Sequence, residues 1–160
     1  MTTVNDRIIE RLKALGELIP GLDGGVVDPT ECPLAPPCLV VEDWLGSGPR
    51  SATRERISAT EYKVTRGFLL ALVVEELCDA ASFDDSKKIV GIRAARPWME
   101  MLPAFFLARP LLELDNRPLD NLIEVSPMAD NGIDFITWSK RVYVAVQYQV
   151  NITSITDAGV

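Results

Sequence analysis

The chain has 160 residues, 48% hydrophobic and 24% charged, a balance that excludes disorder as a description of the whole and fits one domain burying roughly 70% of its unfolded surface. Sixteen Lys and Arg against 23 Asp and Glu give a formal charge of −7, which argues against a protein built chiefly to grip a nucleic-acid backbone. There is no histidine, so Ser-His-Asp and Cys-His catalysis are excluded.

The amino terminus, Met1 to Glu10, is polar and carries Asp6, Arg7 and Glu10. It lacks the apolar stretch of a secretory signal, and the encoded chain is expected to be the mature one. Asn5 can cap a helix whose apolar positions Ile8, Ile9, Leu12, Leu15 and Ile19 share one face, ended by Pro20-Gly21. From Pro20 to Pro37 come five prolines and three glycines without periodicity, a composition for a long ordered loop or arm. Cys38-Leu39-Val40-Val41 reads as a short strand. Trp44 to Thr60 is polar, contains Gly46-Ser47-Gly48-Pro49 and three arginines, and reads as an extended loop between two strands.

From Glu61 the residues Tyr62, Val64, Arg66, Phe68, Leu70, Leu72 and Val74 alternate with Lys63, Thr65, Gly67, Leu69, Ala71 and Val73. A long strand is expected, its first half polar on one face and its second half apolar on both, as for a strand entering the core from a protruding ribbon. Its longest apolar run, Phe68 to Val74, has seven residues, far short of the roughly 20 that span a bilayer. After a turn at Asp79 to Asp85, Asp84 or Ser86 can cap a second helix bearing Ile89, Val90, Ile92 and Ala95 and stopping near Arg96-Pro97. Trp98 to Leu107 is apolar, but Pro103 and Pro110 interrupt any smooth helix. Leu122–Val125 and Ile133–Trp138 flank Asn131-Gly132 and are expected to pair as a hairpin. Val142, Val144, Val146, Tyr148 and Val150 form one face of a last strand. The expected fold is α+β: a mainly antiparallel β-sheet, about two α-helices on one face, and an extended hairpin or loop arm.

Candidate chemistry is sparse. Cys32, Cys38 and Cys78 are too few and too scattered for a zinc site and are expected as reduced thiols in a cytoplasmic setting, with Cys38 and Cys78 buried. Asn151-Ile152-Thr153 matches the glycosylation sequon, but without a secretory route it carries no meaning. Neither Gly21, Gly24 and Gly25 nor Gly46 and Gly48 form a dinucleotide fingerprint or phosphate loop. Glu75, Glu76, Asp79, Asp84 and Asp85 could offer oxygens to magnesium or calcium, against the plainer reading of a solvated turn with Asp84 and Asp85 favouring a helix dipole. Arg93 and Arg96 sit one helical turn apart and could meet a phosphate, or form an ordinary solvated face. Trp98, Met101, Phe105 and Phe106, with Met99, form core or line an apolar pocket. The best candidate interface is Trp44 with Arg50, Arg54 and Arg56, because tryptophan and arginine are enriched where proteins meet. The alternative there is a solvated loop tempered by Glu55. No catalytic residue, cofactor or metal is assigned.

The layout resembles the tail-terminator proteins of long-tailed phages and the related head-to-tail completion proteins. The matching pieces are the helix Asp6 to Ile19, Pro36-Pro37 leading into Cys38–Val41, the Trp44 to Thr60 arm feeding Tyr62 to Val74, the segment Asp84 to Met101, and the closing Ile133 to Val146. The closing segment, ending in a Tyr-containing alternating strand, carries most of the likeness. The resemblance implies a structural virion protein of the tail or neck, assembled in the host cytoplasm. It would form a homo-oligomeric ring, commonly a hexamer, that caps the tail tube and offers its other face to the head connector or neck protein. It would have no catalytic residues and no membrane or sequence-specific nucleic-acid contact, and DNA would pass through its acidic lumen. The arm Trp44 to Thr60 would be the contact segment, with Arg50, Arg54 and Arg56 inside it. The alternative is a small α+β binding domain with an apolar pocket for a ligand or partner peptide. A third reading, a metal-dependent enzyme, would use Glu75, Glu76, Asp84 and Asp85.

Overall fold

The computed structural model describes residues 4–27, 34–41, 51–126 and 129–157. Helix α1 (Val4–Gly16) is followed by strands β1 (Gly25–Val27), β2 (Cys38–Val41), β3 (Ser51–Arg56) and β4 (Glu61–Asp79). Helices α2 (Asp85–Ala95) and α3 (Met101–Leu107) come next, then β5 (Leu122–Val125), β6 (Ala129–Trp138) and β7 (Arg141–Asp157). The architecture is α+β, with the strands in one seven-stranded sheet. Among the described residues no helix is long and apolar enough to cross a membrane.

The spine of the sheet is the antiparallel pair β4 and β7, registered from Glu61 opposite Asp157 to Asp79 opposite Arg141. At about 3.3 Å per residue, the nineteen residues of β4 run roughly 60 Å. No single neighbour matches that length, so two strands share each flank. On the β4 side, β3 pairs with Tyr62 to Gly67 and β2 with Leu70 to Val73. On the β7 side, β6 covers Arg141 to Gln149 and β5 covers Ile152 to Ser154. Every pairing is antiparallel except that of β1 with β2.

Side-chain alternation then separates two cores. Phe68, Leu70, Leu72 and Val74 of β4 join Val144, Val146, Tyr148, Val150 and Ile152 of β7 beneath Ile8, Leu12 and Leu15 of α1, Ala95 of α2, and Leu102 and Phe106 of α3. All three described helices therefore lie on one face, where about two were expected; α3 is the addition, formed although Pro103 falls within it. The opposite face holds a smaller cluster of Leu34, Cys38, Val40, Ala71, Val73, Tyr143 and Ala145, edged by Ile136 and Trp138.

Several local expectations are corrected. Ser51–Arg56 is not part of a loop but a strand, because the polar half of β4 offers a full row of backbone donors and acceptors that β3 satisfies. The Pro20 to Pro37 stretch contains β1 and a cis peptide between Pro36 and Pro37. Leu122–Val125 and Ile133–Trp138 do not pair with each other, since both add to β7. Gly132, with φ of 91°, sits inside β6 where the register slips between Asp130 and Gly132, so the Asn-Gly signal marks a bulge and not a turn. The actual β6–β7 turn is Ser139-Lys140, with φ of 48° and 63°, the left-handed pair that a two-residue type I′ connection requires. On α2 the expected apolar face holds at Ala95, which is buried, and at Ile92, which is part-buried, but not at Ile89 and Val90. Gly91 and Ala95 meet the sheet, while Ile89 and Val90 are about half exposed.

Candidate interaction surface

The arm is built by β3 and the start of β4. Ile57 N–H donates to the Glu61 carbonyl at 3.0 Å, and the Ser58 hydroxyl accepts from the backbone N–H groups of Thr60 and Glu61 at 3.2 and 3.1 Å, which closes the hairpin. Cross-strand pairing sets Arg54 opposite Val64 and Arg56 opposite Tyr62, so both arginines share the helix-side face with Arg66. Glu55 pairs with Lys63 on the other face. The sequence pattern Arg-Glu-Arg thus becomes a cationic face backed by a balanced one.

Burial falls off steeply along this ribbon. Val64 and Arg66 are 2% and 9% exposed, whereas Arg54 to Thr60 are all exposed. Arg66 donates to the Ser154 hydroxyl at 2.9 Å; burial, with Arg54 adding to it, holds its guanidinium below the ordinary value. On the opposite face the Thr65 and Thr153 hydroxyls meet at 2.8 Å. Arg56 lies 5.4 Å over the Tyr62 ring and donates to its hydroxyl at 3.0 Å, and that hydrogen bond raises its pKa. Arg54 and Arg56 of the expected interface are therefore brought together on an exposed, ordered hairpin. Trp44 and Arg50 lie outside the described residues.

The acidic cluster is divided among structural tasks. Glu76 pairs with Arg141 across β4 and β7. Asp79 accepts from Ser82 N–H at 3.0 Å, and Asp84 caps α2 by accepting from Lys87 N–H at 3.0 Å and the Ser86 hydroxyl at 2.6 Å. These hydrogen bonds hold both aspartates below the usual carboxylate range. Among the described residues no three acidic or cysteine side chains converge as metal ligands. Arg93 and Arg96 are both exposed.

A second feature lies on the helix side. Pro103, Ala104, Phe106, Leu107 and Pro110 form one wall of an apolar groove of about 450 Å³; Val125, Ser126 and Val150 form the other, and Glu100 adds a carboxylate. Of the expected pocket residues only Phe106 lines it. Phe105 stacks edge-on against Phe106 at 5.3 Å and carries Arg109 over its ring at 3.8 Å. Trp98 and Met99 are held to the sheet where the Tyr148 hydroxyl donates to their carbonyls. Sequence reasoning missed the proline wall because Pro103 reads as a helix breaker, yet it falls in the first turn of α3, where no N–H is needed. No family model and no curated protein matches the chain.

Proposed function

We propose that the chain is a structural virion protein, a tail terminator or neck component that joins head and tail. It forms a homo-oligomeric ring, a hexamer, which caps the tail tube and meets the head connector. The carrying observation is the arm: an ordered hairpin that presents Arg54, Arg56 and a half-exposed Ile57 beyond the buried part of the sheet. An isolated chain gains little by holding an isoleucine and two arginines there, whereas an assembly contact is enriched in arginine with an apolar centre. The order of elements, with α1, the short strands β1 and β2, the β3–β4 arm, α2 and α3, β5 and the closing β6–β7 hairpin, resembles the layout of that family and supports the reading. A ring passing DNA also suits a chain of net charge −7.

Light scattering behind a sizing column across a concentration series tests this, together with electron microscopy of purified tail tubes mixed with the protein. A discrete hexamer that caps tubes is expected. A mass of 17.6 kDa at every concentration, with bare tube ends, overturns the reading. The groove favours a second reading, a small α+β binding domain for an apolar ligand or partner peptide. That reading expects a monomer whose melting temperature rises with the ligand.

A further inference from the structure

We infer that the arm tip of one copy seats in the α3–β5 groove of the next, with Ile57 entering the apolar cleft and Arg54 and Arg56 facing Glu100. The inference rests on the ring-forming reading and names its contact. The two surfaces complement each other in polarity and charge. The tip offers one aliphatic side chain, 53% exposed, next in sequence to two arginines that share the other face of the ribbon. The groove offers about 450 Å³ of space, mostly apolar walls and a carboxylate at Glu100. Its rim residue Leu107 is 78% exposed, more than any other large apolar side chain among the described residues. Glu100 is the one charged side chain among the described residues that line the groove, so the cleft favours a cationic partner.

The contact is intermolecular by construction. Glu61 at the base of the tip is registered to Asp157, seven residues along β7 from the Val150 that lines the groove, a separation of about 23 Å along the strand. The tip cannot fold back without breaking the β4–β7 ladder. Tip and groove are different patches, so their pairing is head-to-tail, and repetition of it closes a ring or extends a filament.

Charge exchange tests the pairing. The Arg54→Glu/Arg56→Glu variant and the Glu100→Arg variant are each expected to shift the concentration for half-assembly upward by about tenfold. Their equimolar mixture is expected to restore assembly, because each reversed surface then finds its complement. Ala104→Trp, which fills the groove without altering charge, is expected to block assembly with an unchanged circular dichroism spectrum. Persistence of the wild-type oligomer in both charge variants, or failure of the mixture to rescue, overturns this contact while leaving a ring built through another surface. Assembly through this contact into open filaments that ignore tail tubes supports the contact and overturns the virion reading. A wild-type chain that stays monomeric throughout overturns both.

Discussion

Gly91 stands where α2 comes closest to the sheet. A Cβ there would meet Phe135 at 2.8 Å, Leu77 at 3.0 Å and Val144 at 3.2 Å, so the residue that costs a helix most in propensity is the one the packing demands. Gly91→Val is expected to destabilise the protein by about 1–3 kcal/mol, read as a lower urea midpoint. The same contact explains the exposure of Ile89 and Val90. Helical spacing alone ranks them with Ala95 as the buried side, and only the approach of Phe135 puts Gly91 in their place. Cys38 makes a second residue-scale case. Burial pushes its thiol up to about 11, so the folded chain holds the proton through a range where the unfolded chain releases it. The resulting contribution to stability is complete below the unfolded thiol's pKa and is lost as pH rises toward 11. Urea titrations at pH 8, 9.5 and 11 are expected to give falling midpoints, with the pH-dependent part reduced in Cys38→Ala.

At the scale of elements, the periodic segments were legible and the pairings were not. Ile8, Leu12 and Leu15 marked α1, and the long alternations marked β4 and β7, because a repeated apolar spacing has one economical burial. Pairing is set by which backbone row is unfilled, and β3, β5 and β6 are assigned by the two long strands that need neighbours. The Asn131-Gly132 signal failed for this reason: a left-handed glycine serves a bulge as well as a turn. Ser139 and Lys140 make a tight turn without the residues that favour it. Lys140→Gly is expected to raise stability by about 1 kcal/mol by relieving the left-handed conformation, measured as a higher urea midpoint. The Arg54 and Arg56 pair was legible as a cluster of arginines. Their common face was not, because it follows from the strand that replaced the expected loop.

For the whole molecule, β4 and β7 run through both the arm and the core, so cooperativity is expected to extend along their length. Leu72, fully buried on the helix side of β4, is expected to cost about 2–5 kcal/mol when changed to Ala. Circular dichroism and tryptophan fluorescence should then lose signal at the same, lower denaturant concentration. The sequence by itself determined the α+β class, the helix-bearing face, the two long strands and the exclusion of histidine-based catalysis, because composition and periodicity act locally and each has a direct physical reading. Tertiary structure decided the groove, since its walls come from α3, β5 and β7, which only the fold brings together. It also decided the face of the arm on which the arginines lie and the division of the acidic cluster among caps and an ion pair. These depend on register and close approach between residues far apart in the chain, and no local pattern encodes them.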